Sequence, residues 1–264
     1  MKHAIYVPPF DALADPIVLA GLGVVAEESG WDGLFLWDHV SYRNVEAIAD
    51  PWISLAAVAC ATEGLRLGPM VTPLARRRPV QVAREVATLD LLTDGRVTLG
   101  VGLGDDHAGE LSGTGEEVDA KARAALLDES LEILLAAWTG DEVRHRGRLV
   151  LDGIAVRPRP VQQPHPPVWT AVVAGNRKPL RRAARYDGVF PVGIDSPETL
   201  RSVVDQVGEL RGGLDGYDVA VALNPDTDPA PYEEAGATWR LASFPAYGAE
   251  VARVRRVIEA GPSA

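Results

Sequence analysis

The chain has 264 residues, 47% of them apolar, and a formal net charge of −11. That apolar share excludes global disorder, and the negative balance opposes a phosphate backbone, so no nucleic-acid partner is expected. The longest apolar stretch, Ile17 to Ala26, falls short of the ~20 residues a membrane helix needs, and Met1 to Asp11 runs straight into a strand rather than a leader; the expectation is no membrane and a cytoplasmic location.

In chain order, Ala4 to Val7 reads as the first strand, closed by Pro8 and Pro9. Asp15 and Pro16 open a helix that runs to about Ser29, with proline at its first turn. Leu34 to Trp37 is the second strand, an unbroken apolar run of the kind a sheet covered on both faces requires. Asp50 and Pro51 start the next helix, which ends near Gly64 and contains the single cysteine, Cys60, expected as a small buried packing residue. One cysteine permits no internal disulfide.

Leu65 to Val71 is the third strand, Pro79 to Leu92 the third helix, and Val97 to Val101 the fourth strand. A long amphipathic helix is predicted from about Glu116 to Trp138. Thr139 to Pro167 breaks the rhythm, with a hairpin around Gly147, and reads as a short excursion between strands four and five. Val168 to Val173, Gly188 to Pro191, Asp218 to Leu223 and Thr238 to Ala242 are strands five to eight. Ser196 caps the helix after the sixth, and Gly248 to Ala260 is the closing helix. Strands alternating with helices argue a parallel sheet, and eight repeats argue closure into a (β/α)8 TIM barrel, taken as one domain over 1–264.

Barrel chemistry gathers at the carboxyl ends of the strands. The second strand ends there in Trp37, Asp38 and His39. His39 suits proton transfer near neutral pH, with Asp38 to orient it or to hold a backbone amide; the plain alternative is a turn cap and a structural histidine. After the fourth strand, Gly100, Gly102 and Gly104 miss the dinucleotide fingerprint, because Asp105 and His107 stand where glycine is needed. They suit close passage of the backbone past a flat ligand, with Asp105 facing the same mouth as His39. Ala174, Gly175, Asn176 and Arg177 combine glycine, a helix start and a cation, as a phosphate seat does; the plain alternative is an ordinary solvated turn. Arg76 to Arg78 reads either as surface charge or as a steering patch for an anionic cofactor tail. The five histidines lack metal-ligand spacing, so no metal is expected.

Four segments in this order, 28–39 (ESGWDGLFLWDH), 65–79 (LRLGPMVTPLARRRP), 89–104 (LDLLTDGRVTLGVGLG) and 180–191 (LRRAARYDGVFP), resemble the bacterial luciferase-like flavin- or deazaflavin-dependent oxidoreductases, the luciferase-like monooxygenase family. The resemblance implies a luciferase-like barrel that binds FMN or a deazaflavin (coenzyme F420) at its loop face, for hydride transfer or oxygen activation on a small organic substrate. It implies a non-prolyl cis bond near Met70 and Val71 backing the ring, with Tyr6, Val7, Trp37, His39, Thr72, Gly102 and Gly104 around it. It implies the ribityl phosphate at Ala174 to Arg177, a possible homodimer, and Asp105 where deazaflavin-dependent relatives often carry a glutamate. Those relatives often carry a tryptophan where Arg43 stands, so their proton scheme does not transfer intact. A non-catalytic flavin-binding protein on the same fold, and a phosphate-binding barrel isomerase or lyase, stay open at this stage.

Overall fold

The computed structural model describes residues 1–175 and 177–262, and of Arg177 the backbone only. The first half runs β1 (Lys2–Val7), α1 (Pro16–Glu28), β2 (Gly33–Leu36), α2 (Pro51–Ala61), β3 (Arg66–Pro69), β4 (Thr72–Pro73), α3 (Pro79–Leu92), β5 (Leu99–Gly102) and α4 (Ala120–Trp138). The excursion follows as β6 (Glu142–Arg146) and β7 (Val150–Ala155), an antiparallel hairpin. The second half runs β8 (Val168–Val173), α5 (Arg177–Ala183), β9 (Gly188–Val192), α6 (Pro197–Arg211), β10 (Asp218–Leu223), α7 (Ala230–Glu234), β11 (Trp239–Ser243) and α8 (Val251–Ala260).

Nine strands form one parallel sheet in the order β3-β2-β1-β11-β10-β9-β8-β5-β4. The end strand β3 covers the expected third strand only as far as Pro69, and β4 lies just beyond it, across the cis Met70–Val71 peptide. Leu67 bridges Val97 just ahead of β5, so the sheet's two edges meet and the barrel is all but closed. Gly68 makes that approach possible, because a Cβ there would run into the Thr98 carbonyl.

Side chains alternate across each strand. Ile5, Val7, Leu34, Leu36, Val101 and Ala242 pack outward into the layer beneath the helices. Ala4, Tyr6, Phe35, Trp169, Trp239 and Leu241 fill the interior. At the amino end of the barrel Phe35, Trp169 and Trp239 pack together, with centroids 5.4–6.1 Å apart. Asp218 accepts from both indoles, at 3.2 Å from Trp169 and 3.1 Å from Trp239. The plug thereby satisfies its polar atoms while filling the bottom of the barrel.

Two expectations need correction. α4 begins at Ala120, capped by Asp119, rather than at Glu116. Cys60 is exposed on α2, because it falls on the face turned away from the barrel. No helix among the described residues is long and apolar enough to cross a membrane.

Candidate active site

Alternation decides which expected site residues reach the barrel mouth. Tyr6 points inward, and its hydroxyl donates to the Met70 carbonyl at 2.6 Å. Burial first, then the nearby Tyr42, pushes its phenol well above the ordinary tyrosine range, so it stays a donor. That bond ties β1 to the residue preceding the cis peptide. Trp37 also points inward, 5.6 Å from Tyr6 and 5.9 Å from Phe10 between ring centroids. Its indole N–H is buried with no hydrogen-bond partner.

Val7 and Thr72 point the other way. Val7 is fully buried in the outer layer rather than at the mouth. Thr72 is likewise buried, and its hydroxyl donates to Asp38 at 2.8 Å. Both are corrections to the expected ring contacts, and both follow from the strand's two-residue period.

Asp38 is a further correction. It is 2% exposed, and its carboxylate receives Arg76 at 2.9 Å and Arg77 at 2.9 and 3.0 Å besides Thr72. Arg76 also donates to the Asp38 carbonyl at 3.0 Å. The carboxylate therefore anchors the segment after β4 instead of orienting His39. Two of the three consecutive arginines are bound inward by this pair, neither loose surface charge nor free steering groups. For Arg77, desolvation lowers the guanidinium's affinity for its proton, but Asp38 outweighs it and the net shift is upward.

His39 is oriented by a different residue. Its Nδ1 lies 3.2 Å from Glu110 Oε1, and Glu110 Oε2 accepts from the Val40 N–H at 3.1 Å. Glu110 is 2% exposed. Burial alone would raise its carboxyl pKa. The His39 hydrogen bond and charge, the Val40 amide and the Arg76 charge more than offset that and bring it below the ordinary value. An ionised Glu110 accepts, so Nδ1 donates and Nε2 is left as the atom that gains or releases a proton. The loop that brings Glu110 to His39 is pinned by Asp106, which accepts from the Leu111 and Ser112 amides at 2.8 and 2.9 Å.

The lowered Glu110 pKa has a sign. Its ionised form contributes stability above the ordinary value near 4.5, and that contribution is lost as pH falls through the lower folded-state value. Glu110→Gln is expected to flatten the acid limb of the stability curve below about pH 4.5. Thermal melts of both proteins from neutral pH to pH 3 check this, and parallel curves would refute it.

A cavity of about 540 Å³ opens at the mouth, with Tyr6, Trp37, Met70, Val71, Gly102, Gly104 and Phe190 among its walls. His39, Asp38, Asp105 and Glu110 reach its edge. A second cavity of about 220 Å³ adjoins it, sharing His39, Asp105 and Glu110. Asp105 thus does reach the same mouth as His39, on an exposed stretch where it accepts from the His107 amide at 2.5 Å. The glycines have a nearer cause than a ligand. A Cβ on Gly100 would meet Met70 Sδ at 2.6 Å, and one on Gly102 would meet Val71 Cγ2 at 2.7 Å. Gly104 has φ +70°, and a Cβ there would meet Pro73.

Ala174 and Gly175 form the turn after β8, beside Val173 on the cavity wall, and neither lines the cavity itself. Asn176 and the Arg177 side chain lie outside the described residues. The buried cation on this side is Arg182, which contacts the cavity while binding Asp128 at 2.6 and 3.0 Å. Glu110 carried no signal that sequence reasoning could use. It is one of six acids between positions 105 and 119, and only the folded loop singles it out.

A family model described as luciferase-like monooxygenase matches residues 15–244. An uncharacterized protein of Mycobacterium tuberculosis is 36% identical over 205 residues, which are 74% of this chain and 70% of that protein. The F420-dependent glucose-6-phosphate dehydrogenase of Segniliparus rotundus is 31% identical over 227 residues, 81% of this chain and 67% of the enzyme. Among solved structures, an F420-dependent secondary alcohol dehydrogenase in complex with an F420–acetone adduct superposes with a TM-score of 0.80 at 19% identity, covering 98% of this chain and 96% of that one. With the barrel, the cis peptide after the third strand and the histidine at the end of the second already in place, the chain belongs to the luciferase-like monooxygenase family.

Proposed function

We propose that this protein is an oxidoreductase that binds the deazaflavin coenzyme F420 in the larger cavity and acts on a small organic substrate, with His39 and Glu110 as its proton-handling pair. The observation that carries the proposal is that pair, standing at the edge of an apolar cavity lined by Trp37, whose indole N–H is buried without a partner. An unsatisfied buried donor costs about 1–3 kcal/mol unless a ligand acceptor meets it. The apolar walls suit a flat ring system, and the Trp37 N–H among them lacks an acceptor of its own, so the residues present fit such a group. Tyr6, Trp37, Met70, Val71, Gly102 and Phe190 would hold the ring, and the turn at Ala174 and Gly175 lies on the side proposed for the phosphate.

When bound, the coenzyme supplies hydride transfer. The protein supplies the rest. His39 Nε2 takes the proton from a substrate hydroxyl, or returns it to a carbonyl oxygen in reverse. Glu110 fixes the tautomer and favours the imidazolium that forms. Sequence relatives named as F420-dependent favour the deazaflavin; the family description as a monooxygenase keeps FMN as the second reading.

The test is a titration of purified protein with F420 and with FMN, followed by tryptophan fluorescence and by absorbance. Saturable quenching by F420, reduced in Trp37→Phe, is expected. Saturation by FMN alone would move the assignment to FMN, and binding of neither would overturn it.

A further inference from the structure

The smaller cavity carries an assignment of its own. Its walls include His39, Tyr42, Arg43, Asp105, Glu110 and Tyr247. We propose that it is the substrate subsite and that Arg43 anchors a substrate carboxylate there, so that the substrate is a small hydroxy or oxo acid with a flat apolar body. This rests on the proposed function, because the reacting carbon must lie between His39 and the larger cavity.

Charge pairing separates Arg43 from the other charged groups of this wall. Both oxygens of Glu110 are engaged, one by His39 and one by the Val40 amide. Asp105 accepts from the His107 amide. Arg43 uses only Nε, which donates to the His107 carbonyl at 3.0 Å. Among the described residues no carboxylate lies within 4.0 Å of its guanidinium. That single bond spans the loops after β2 and β5 and holds the guanidinium at the cavity, with its terminal N–H groups unspent. A guanidinium so placed matches a carboxylate with two parallel hydrogen bonds, which an ammonium cannot reproduce.

The body of the ligand follows from the aromatic wall. Tyr42 lies 5.1 Å from His39 and 5.7 Å from Tyr247 between centroids. Burial, then Tyr247 and Asp105, raises the Tyr42 phenol's pKa, so the wall stays uncharged. A flat, apolar ligand body is therefore accepted beside a cation. The volume, about 220 Å³, lies below the roughly 300–1,000 Å³ of drug-sized pockets, which limits that body to about one ring.

The experiment uses cofactor-loaded protein and calorimetric binding of mandelate, its neutral amide mandelamide, and inorganic phosphate. Wild type is expected to bind mandelate at least ten-fold more tightly than mandelamide, and phosphate more weakly than mandelate. Arg43→Gln should erase the preference while leaving mandelamide binding as it was, and Arg43→Lys should restore part of it. Equal loss for both ligands would assign Arg43 to the loop bridge alone and overturn the anchor. An intact preference in Arg43→Gln would overturn it as well. Cofactor binding is read in the same samples, so loss of the coenzyme counts against the proposed function and loss of the preference counts against the anchor.

Discussion

His39→Ala is expected to keep the coenzyme and lose turnover by roughly 10²–10⁴-fold, the range for removing a positioned acid–base group. The separation of the two effects comes from placement. The ring is expected against Trp37, Tyr6, Met70 and Phe190; Trp37 lies 5.9 Å from the imidazole between centroids, but Tyr6 and Phe10 also pack against it at 5.6 and 5.9 Å. The imidazole stands at the cavity edge, where its Nδ1 is committed to Glu110 and its Nε2 is available. Glu110→Gln removes the charge but keeps an acceptor for Nδ1, so its rate loss should be smaller than that of His39→Ala. Steady-state rates with coenzyme titrations on the same preparations check both variants. Near-normal turnover in His39→Ala would remove His39 from the chemistry.

Asp38→Ala is expected to destabilise the protein by about 3–5 kcal/mol, the cost of breaking a buried ion pair and stranding its partner. Here the effect falls on two guanidiniums, because Arg76 and Arg77 both turn inward onto one carboxylate that is 2% exposed. Arg76 already has a buried Nε without a partner, so little else nearby is able to compensate. Arg77 has Glu85 at 3.9 Å and the Trp52 ring at 5.8 Å, and these retain part of its environment. Asp38→Asn keeps the shape and should fall between wild type and alanine. Denaturant unfolding of the three proteins measures the series. An alanine variant within 1 kcal/mol of wild type would show that the cluster is relaxed or hydrated.

The strand and helix pattern was legible because each element carries its own signal. Pro16, Pro51, Pro79 and Pro197 each stand in the first turn of a helix, after a residue that ends the preceding loop. Val168–Val173 and Asp218–Leu223 begin and end at the expected residues. Of the expected ring contacts, Tyr6, Trp37, Met70 and Val71 line the larger cavity. Val7 and Thr72 were assigned to the mouth from their position along the chain, while the pleat turns them outward; Asp38 does reach the cavity edge, but its carboxylate is taken by Thr72, Arg76 and Arg77. Glu110 was missed for a different reason. It arrives from a loop between β5 and α4 that has no periodicity, and its depressed pKa exists only after His39 and the Val40 amide surround it. The arginine run misled because a sequence shows three neighbouring charges and not the single buried acid that gathers two of them.

The aromatic plug of Phe35, Trp169 and Trp239 makes the barrel a cul-de-sac. Among the described residues, the larger cavity opens at the other end. Whatever settles deepest has to enter before its companion and depart after it, so coenzyme should arrive first and leave last. Kinetics of that kind would be written into the floor of the molecule, at the end opposite its chemistry.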